Sequence, residues 1–133
     1  MQQTIVYPLP PTLNKIISSA RRSPYVSSKE KRKWTQDIAA MSSVLEPYDK
    51  YPLWFKFHWK VHNQRRDPDN IAAAAKFIMD GLVKAEIIPD DSLQCIGSPV
   101  LHYYGKAIKD DDKCELTIST TAPFVSWPIE KIP

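Results

Sequence analysis

Arg65-Arg66-Asp67-Pro68-Asp69-Asn70 puts two carboxylates one residue apart, directly behind two guanidinium groups. Carboxylates so close repel one another unless a cation lies between them. They suit Mg²⁺, with Mn²⁺ as a substitute, because these hard ions take carboxylate, water and phosphate oxygens. A second acidic pair, Asp90-Asp91, follows later in the chain, and Lys76 stands between the two pairs. On a helical wheel of about 100° per residue, Lys76 falls within about 20° of the direction of Asp69, where an ammonium would stabilise charge on a reacting phosphate. The same spacing suits an ordinary ion pair with Asp80 four residues on, the favoured reading from spacing alone. Asp67 and Asp69 also fit a helix cap, and Asp90-Asp91 a solvated turn. Arg65 and Arg66 either neutralise the neighbouring acids or meet phosphate.

Other chemistries fit less well. Counted from Asp67, a calcium-binding helix-loop-helix needs glycine where Ala72 stands and glutamate where Ile78 stands. His58 and His62 alternate onto one strand face without a third ligand, and Cys95 and Cys114 form no zinc-binding cluster; buried free thiols are expected. No glycine-rich phosphate loop is present.

These side chains need rigid elements to hold them. Leu53, Phe55, Phe57, Trp59 and Val61 alternate with Trp54, Lys56, His58 and Lys60, which is the period of a strand with one core face. Ile71, Ala75, Ile78, Leu82 and Ala85 make an apolar stripe at the helical period, with Asp69 or Asn70 as the cap. The acidic loop therefore joins a strand to a helix. A second helix is expected from Ser28 to Glu46, opened by a capping box at Ser27 and Glu30, with Trp34, Ile38, Met41 and Leu45 on its inner face. Its first turn would be cationic, against the helix dipole. Thr4 to Tyr7 reads as an edge strand followed by proline-rich extended chain. Leu93 to Ile96, Val100 to Tyr104 and Cys114 to Ile118 read as further strands, with Asp110-Asp111-Asp112 as a solvated hairpin turn. The expected architecture is α+β, a small mixed sheet packed on two main helices, with residues 1–133 forming one domain.

The net charge of +3 is modest, but its distribution is uneven. Arg21, Arg22, Lys29, Lys31, Arg32 and Lys33 face only Glu30 in their stretch, whereas Asp80 to Glu115 holds eight acidic residues against four lysines. This polarity suits an anionic polymer gripped at one place and a metal held at another. No run approaches the roughly 20 apolar residues of a membrane span, and the amino terminus lacks the pattern of a signal peptide, so a cytoplasmic protein with no membrane partner is expected.

Taken together, RRDPDN, an alanine-rich helix with Lys76 and Asp80-Gly81-Leu82, and then IIPDDS resemble the RusA family of Holliday junction resolvases, many of them phage- or prophage-encoded. Leu9-Pro10-Pro11-Thr12-Leu13-Asn14 after a first strand, and Tyr25-Val26-Ser27 before a basic helix, are similar to the family's opening segment. The resemblance implies a homodimer that cuts four-way DNA symmetrically in a bacterial or phage-infected cell. It implies Mg²⁺ held by Asp67, Asp69 and Asp91, with Asp90 as an adjacent helper. It also implies that Lys76 is the catalytic lysine, although Lys76 stands farther from Asp69 than the family spacing. Arg21, Arg22, Lys29, Lys31, Arg32, Lys33, Arg65 and Arg66 would grip the DNA backbone. The alternatives are a non-catalytic DNA-binding protein of the same fold and a metal-dependent phosphotransfer enzyme acting on nucleotides.

Overall fold

The computed structural model describes residues 1–124. In chain order its elements are β1 (Gln2–Pro8), α1 (Leu13–Arg22), α2 (Pro24–Ser42), β2 (Trp54–Val61), α3 (Pro68–Ala72), α4 (Ala75–Lys84), β3 (Leu101–Lys106) and β4 (Lys113–Ser119). The architecture is α+β: one mixed four-stranded sheet, ordered β1-β4-β2-β3, whose core is shared with the helices. β4 pairs antiparallel with both β1 and β2, while β3 lies parallel to β2 at the far edge.

The period-two pattern of β2 sends Phe55, Phe57, Trp59 and Val61 into the core. The register extends those rows sideways. Trp59 lies beside Cys114, which lies beside Tyr7, and Phe57 lies between Leu116 and His102. The Phe57 and Trp59 rings stack at 5.4 Å, and His102 stacks on Phe57 at 5.1 Å. Trp59 Nε1 donates to His102 Nδ1 at 2.9 Å, and burial holds the His102 pKa below the usual imidazole value. On the other face, Lys60 pairs with Glu115 at 3.2 Å and His58 lies against Gly105.

Ile38 of α2 and Ile78 and Leu82 of α4 are fully buried over the inner face. Tyr7 ties the sheet to this layer: its hydroxyl bonds to Ser42 Oγ at 2.7 Å, and Ser42 in turn donates to the Ile38 carbonyl at 2.6 Å. Burial pushes the Tyr7 phenol up to about 12.

Several boundaries differ from the sequence reading. The basic helix opens at Pro24, not Ser28, because Ser23 is the cap: its Oγ accepts from the Val26 N–H at 3.3 Å, and Pro24 fits the first helical position. Lys29 to Lys33 therefore lie beyond the first turn, where the dipole hardly opposes them, and the helix ends at Ser42, before Glu46. The helix after the acidic loop is capped from Asp67, not Asp69 or Asn70, and is split into α3 and α4. At the split the hydrogen bonds tighten to three-residue spacing, with Ala74 N–H on the Ile71 carbonyl and Phe77 N–H on the Ala74 carbonyl. Leu93 to Ile96 is a turn instead of a strand, with only a single parallel bridge from Ile96 to Leu53. Asp110-Asp111-Asp112 is no hairpin turn, since β2 separates β3 from β4. α1 is a helix that sequence periodicity left unassigned. Cys95 and Cys114 are buried free thiols, as expected.

Candidate active site

β2 and β3 run parallel, so the loops that follow them leave the same end of the sheet. Asp112, just ahead of β4, reaches the first of these loops. Its Oδ1 accepts from the His62 backbone N–H at 2.8 Å and meets His62 Nδ1 at 2.7 Å, while Oδ2 lies 3.8 Å from Arg66 Nη1. Gln64 Nε2 donates to the Val61 carbonyl at 2.7 Å, and the Tyr104 hydroxyl donates to the Pro68 carbonyl at 3.2 Å. Asn70 Oδ1 accepts from the Asn14 N–H at 2.9 Å, which fastens α3 to the start of α1. The segment carrying Asp67 and Asp69 is thereby pinned from β3, from the approach to β4 and from α1.

Burial alone would raise the Asp112 pKa, but the hydrogen bonds from the His62 side chain and backbone, with the charges of His62 and Arg66, outweigh it and hold the carboxyl below its usual value. A group with a depressed folded pKa adds stability above its unfolded pKa and loses it as pH falls through the folded one. Asp112→Ala is therefore expected to cost about 1–3 kcal/mol at neutral pH. The deficit should shrink once pH drops below the ordinary carboxylate value of roughly 4. Urea unfolding across this range checks it; a deficit constant into strong acid would mean that charge does not hold the loop.

Asp67 and Asp69 are exposed. The Asp67 side chain makes no cap hydrogen bond, and Asp69 Oδ1 accepts from the Asn70 N–H at 3.0 Å. Tyr104 is close enough to Asp69 that, after burial, the aspartate's charge adds to the upward shift of the phenol's pKa. Seven residues farther on, about 10 Å along a helix, Lys76 extends from α4 and its Nζ sits 2.9 Å from Asp80 Oδ1 and 3.8 Å from Asp91 Oδ2. The chain after α4 thus folds back and sets Asp91 against the helix, half-buried, while Asp90 stays exposed and accepts the Asp91 N–H at 2.8 Å. The Asp80 hydrogen bond, partly offset by burial and helped by the charges of Asp80 and Asp91, raises the Lys76 pKa above the usual lysine value. Lys76 is therefore a fixed cation at neutral pH and not a base.

The structure brings together Lys76, Asp80 and Asp91, and it places Asp69 with Tyr104. Among the described residues, no three His, Cys, Asp or Glu side chains are gathered as a ready ligand set. The donors themselves are hard carboxylate oxygens with acceptor capacity to spare, which is the chemistry Mg²⁺ takes.

The cations form a separate surface. Arg21 and Arg22 end α1, where the dipole favours them, and Lys29, Lys31, Arg32 and Lys33 are exposed on α2, with Lys84 of α4 joining Lys31 and Arg32. Arg65 is exposed and Arg66 half-buried beside Asp112. Lys15 bridges the two groups, since it lines a hollow shared with His62 and Arg66 as well as the cleft beside Arg22 and Lys31. Sequence reasoning passed over Lys15, Lys84 and Tyr104 and assigned Asp112 to a solvated turn. A charged residue in an unassigned helix or an acidic turn carries no local signal of what it will meet.

No family model matches the chain, and no curated protein matches it.

Proposed function

We propose that this protein is a Mg²⁺-dependent endodeoxyribonuclease that resolves four-way DNA junctions during recombination and repair, acting as a homodimer. The observation that supports the reading is the return of Asp91 to within 3.8 Å of Lys76 on α4, the helix that comes next in the chain after α3 and the Asp67–Asp69 segment. Asp67, Asp69 and Asp91, with Asp90 beside them, would hold Mg²⁺ or Mn²⁺. When bound there, such an ion would supply a water of lowered pKa and charge neutralisation at the phosphate. Lys76, fixed as a cation, stabilises negative charge on the phosphate or the leaving oxygen. Arg65 and Arg66, which precede Asp67 in the chain, and the cations of α1 and α2 would hold backbone phosphates. A twofold dimer would give two sites for two opposed strands. Among the described residues no helix is long and apolar enough to cross a membrane, and the proposed place of action is the cytoplasm of a bacterial or phage-infected cell.

A second reading, DNA binding without cleavage, draws on the 2.9 Å Lys76–Asp80 pair, which gives Lys76 a purely structural partner. Incubation of a synthetic four-way junction with the protein, in Mg²⁺ and in EDTA, separates the two. Paired nicks in Mg²⁺ only, with linear duplex and nucleotides left intact, are the expected result. Junction binding in EDTA with no cleavage on adding Mg²⁺ or Mn²⁺ would leave the binding protein; turnover of nucleotides instead would point to phosphotransfer.

A further inference from the structure

Glu30 is the single acid within the basic stretch from Arg21 to Lys33, and nothing in the proposed cleavage chemistry employs it. It lines a cleft of about 340 Å³ between α1 and α2, within the size range of small-ligand sites. The Ser19 hydroxyl, itself buried, donates to Glu30 Oε2 at 3.1 Å and so orients the carboxylate. Trp34, half-buried, gives the cleft an aromatic surface, with the buried Phe77 ring behind it at 6.4 Å and tilted by 57°, while Lys15, Arg22 and Lys31 line the same cleft. The set is an aromatic surface, an acceptor-only carboxylate and three cations. An aromatic ligand that carries N–H donors and is flanked by negative charge complements all three parts.

We infer that this cleft receives one unpaired guanine of a DNA strand, an inference that rests on the DNA reading above. The base stacks on the aromatic surface and its phosphates meet Lys15, Arg22 and Lys31. Guanine is singled out by the carboxylate. Its N1–H and N2–H are adjacent donors that two carboxylate oxygens accept together. Adenine and cytosine each set one amino donor beside a ring nitrogen acceptor, which faces the second oxygen unfavourably, and thymine flanks its one N–H with two carbonyls. The cleft adjoins a hollow of about 310 Å³ that contains His62 and Arg66, since Leu9 and Lys15 line both. A strand held at the cleft would have Arg66, next to Asp67 in the chain, as a neighbouring phosphate partner.

The test is binding in EDTA, by fluorescence anisotropy, of short labelled thymidine strands with one central base replaced in turn by each of the others. The guanine strand is expected to bind about tenfold more tightly than all-thymidine, with adenine and cytosine between. Glu30→Gln, which puts a donor where guanine brings its own, should reduce that ratio to about twofold or less. Arg22→Ala should weaken all four strands alike and lower the salt slope by about one. Equal affinity for all bases, or a guanine preference that survives Glu30→Gln, would overturn the inference while a bound four-way junction left the DNA reading standing. Failure of both strands and junction to bind would end both. Free dGMP carries the same base edge with fewer phosphates, so it should compete far more weakly than the strand; equal competition would assign the cleft to a free nucleotide and overturn its assignment to DNA.

Discussion

Asp91→Asn is expected to lower Mg²⁺-dependent junction cleavage by about a thousandfold, roughly 4 kcal/mol of transition-state stabilisation, with junction binding in EDTA unchanged. The amide matches the carboxylate in shape, so the turn after α4 keeps its course, and the Asp90 bond to the residue 91 N–H is a backbone contact that the exchange leaves in place. What disappears is one negative charge, 3.8 Å from Lys76 Nζ. Lys76 keeps its closer partner Asp80, and that hydrogen bond is the largest cause of its raised pKa, so the lysine stays cationic in the variant. A fall in rate then reports the loss of a metal-binding oxygen and not the discharge of Lys76. Single-turnover cleavage over a series of Mg²⁺ concentrations is the measurement. A rate within a few-fold of the parent would remove Asp91 from the ligand set and leave its contact with Lys76 as a surface ion pair, which on its own contributes little.

How far such a site can be read from sequence depends on the range of the interaction that builds each part. β2 was legible because alternation over Phe55, Phe57, Trp59 and Val61 is a local consequence of burying one face, and the same holds for the Ile78 and Leu82 stripe of α4. The division between α3 and α4 was not. It falls within Ala72 to Ala75, and alanine satisfies the α and the tighter three-residue hydrogen-bond spacing equally, so the side chains there record no preference. α1 is a different case: Leu13, Ile16, Ile17 and Ala20 do fall at helical spacing, but the stripe is short and follows the proline-rich run Pro8-Leu9-Pro10-Pro11, which reads as extended chain, and Leu13 and Ile17 remain more than a third exposed. Asp67 and Asp69 were found through their spacing, whereas the approach of Asp91 to Lys76 depends on the path of the turn after Ala85 and entered only through family resemblance. Asp112 was misread as a solvated turn because its part comes from topology. The chain crosses β2 between β3 and β4, and only that crossing brings residue 112 to His62 and Arg66.

The whole site depends on α4 lying where it does, and Gly81→Ala tests that placement. In an isolated helix the exchange would stabilise by about 1 kcal/mol. Here a Cβ on residue 81 would clash with Ile38 Cγ2, and meet Ile38 Cβ at 2.6 Å and the Ala39 backbone nitrogen at 3.1 Å. Ile38 is fully buried, and its β-branch leaves χ1 little freedom in a helix, so the side chain cannot swing clear; the nitrogen moves only with α2 itself. The two helices must separate, and overpacking of this kind costs up to about 3 kcal/mol, leaving a net loss of about 2 kcal/mol after the helix-propensity gain. For a chain of this size that lowers the melting temperature by roughly 6–8 °C. Ile38→Ala removes Cγ2 but keeps the Cβ and the Ala39 nitrogen, so in the double variant the Gly81→Ala penalty should fall only in part, a coupling that independent sites would not show. Separation of α2 from α4 also carries Lys76 away from the cations of α2, so cleavage should decline more than the melting temperature alone would predict. A variant that melts at or above the parent's temperature would mean that α2 and α4 do not touch at Gly81, and the placement of Lys76 beside Asp91 would lose its support in the helical layer.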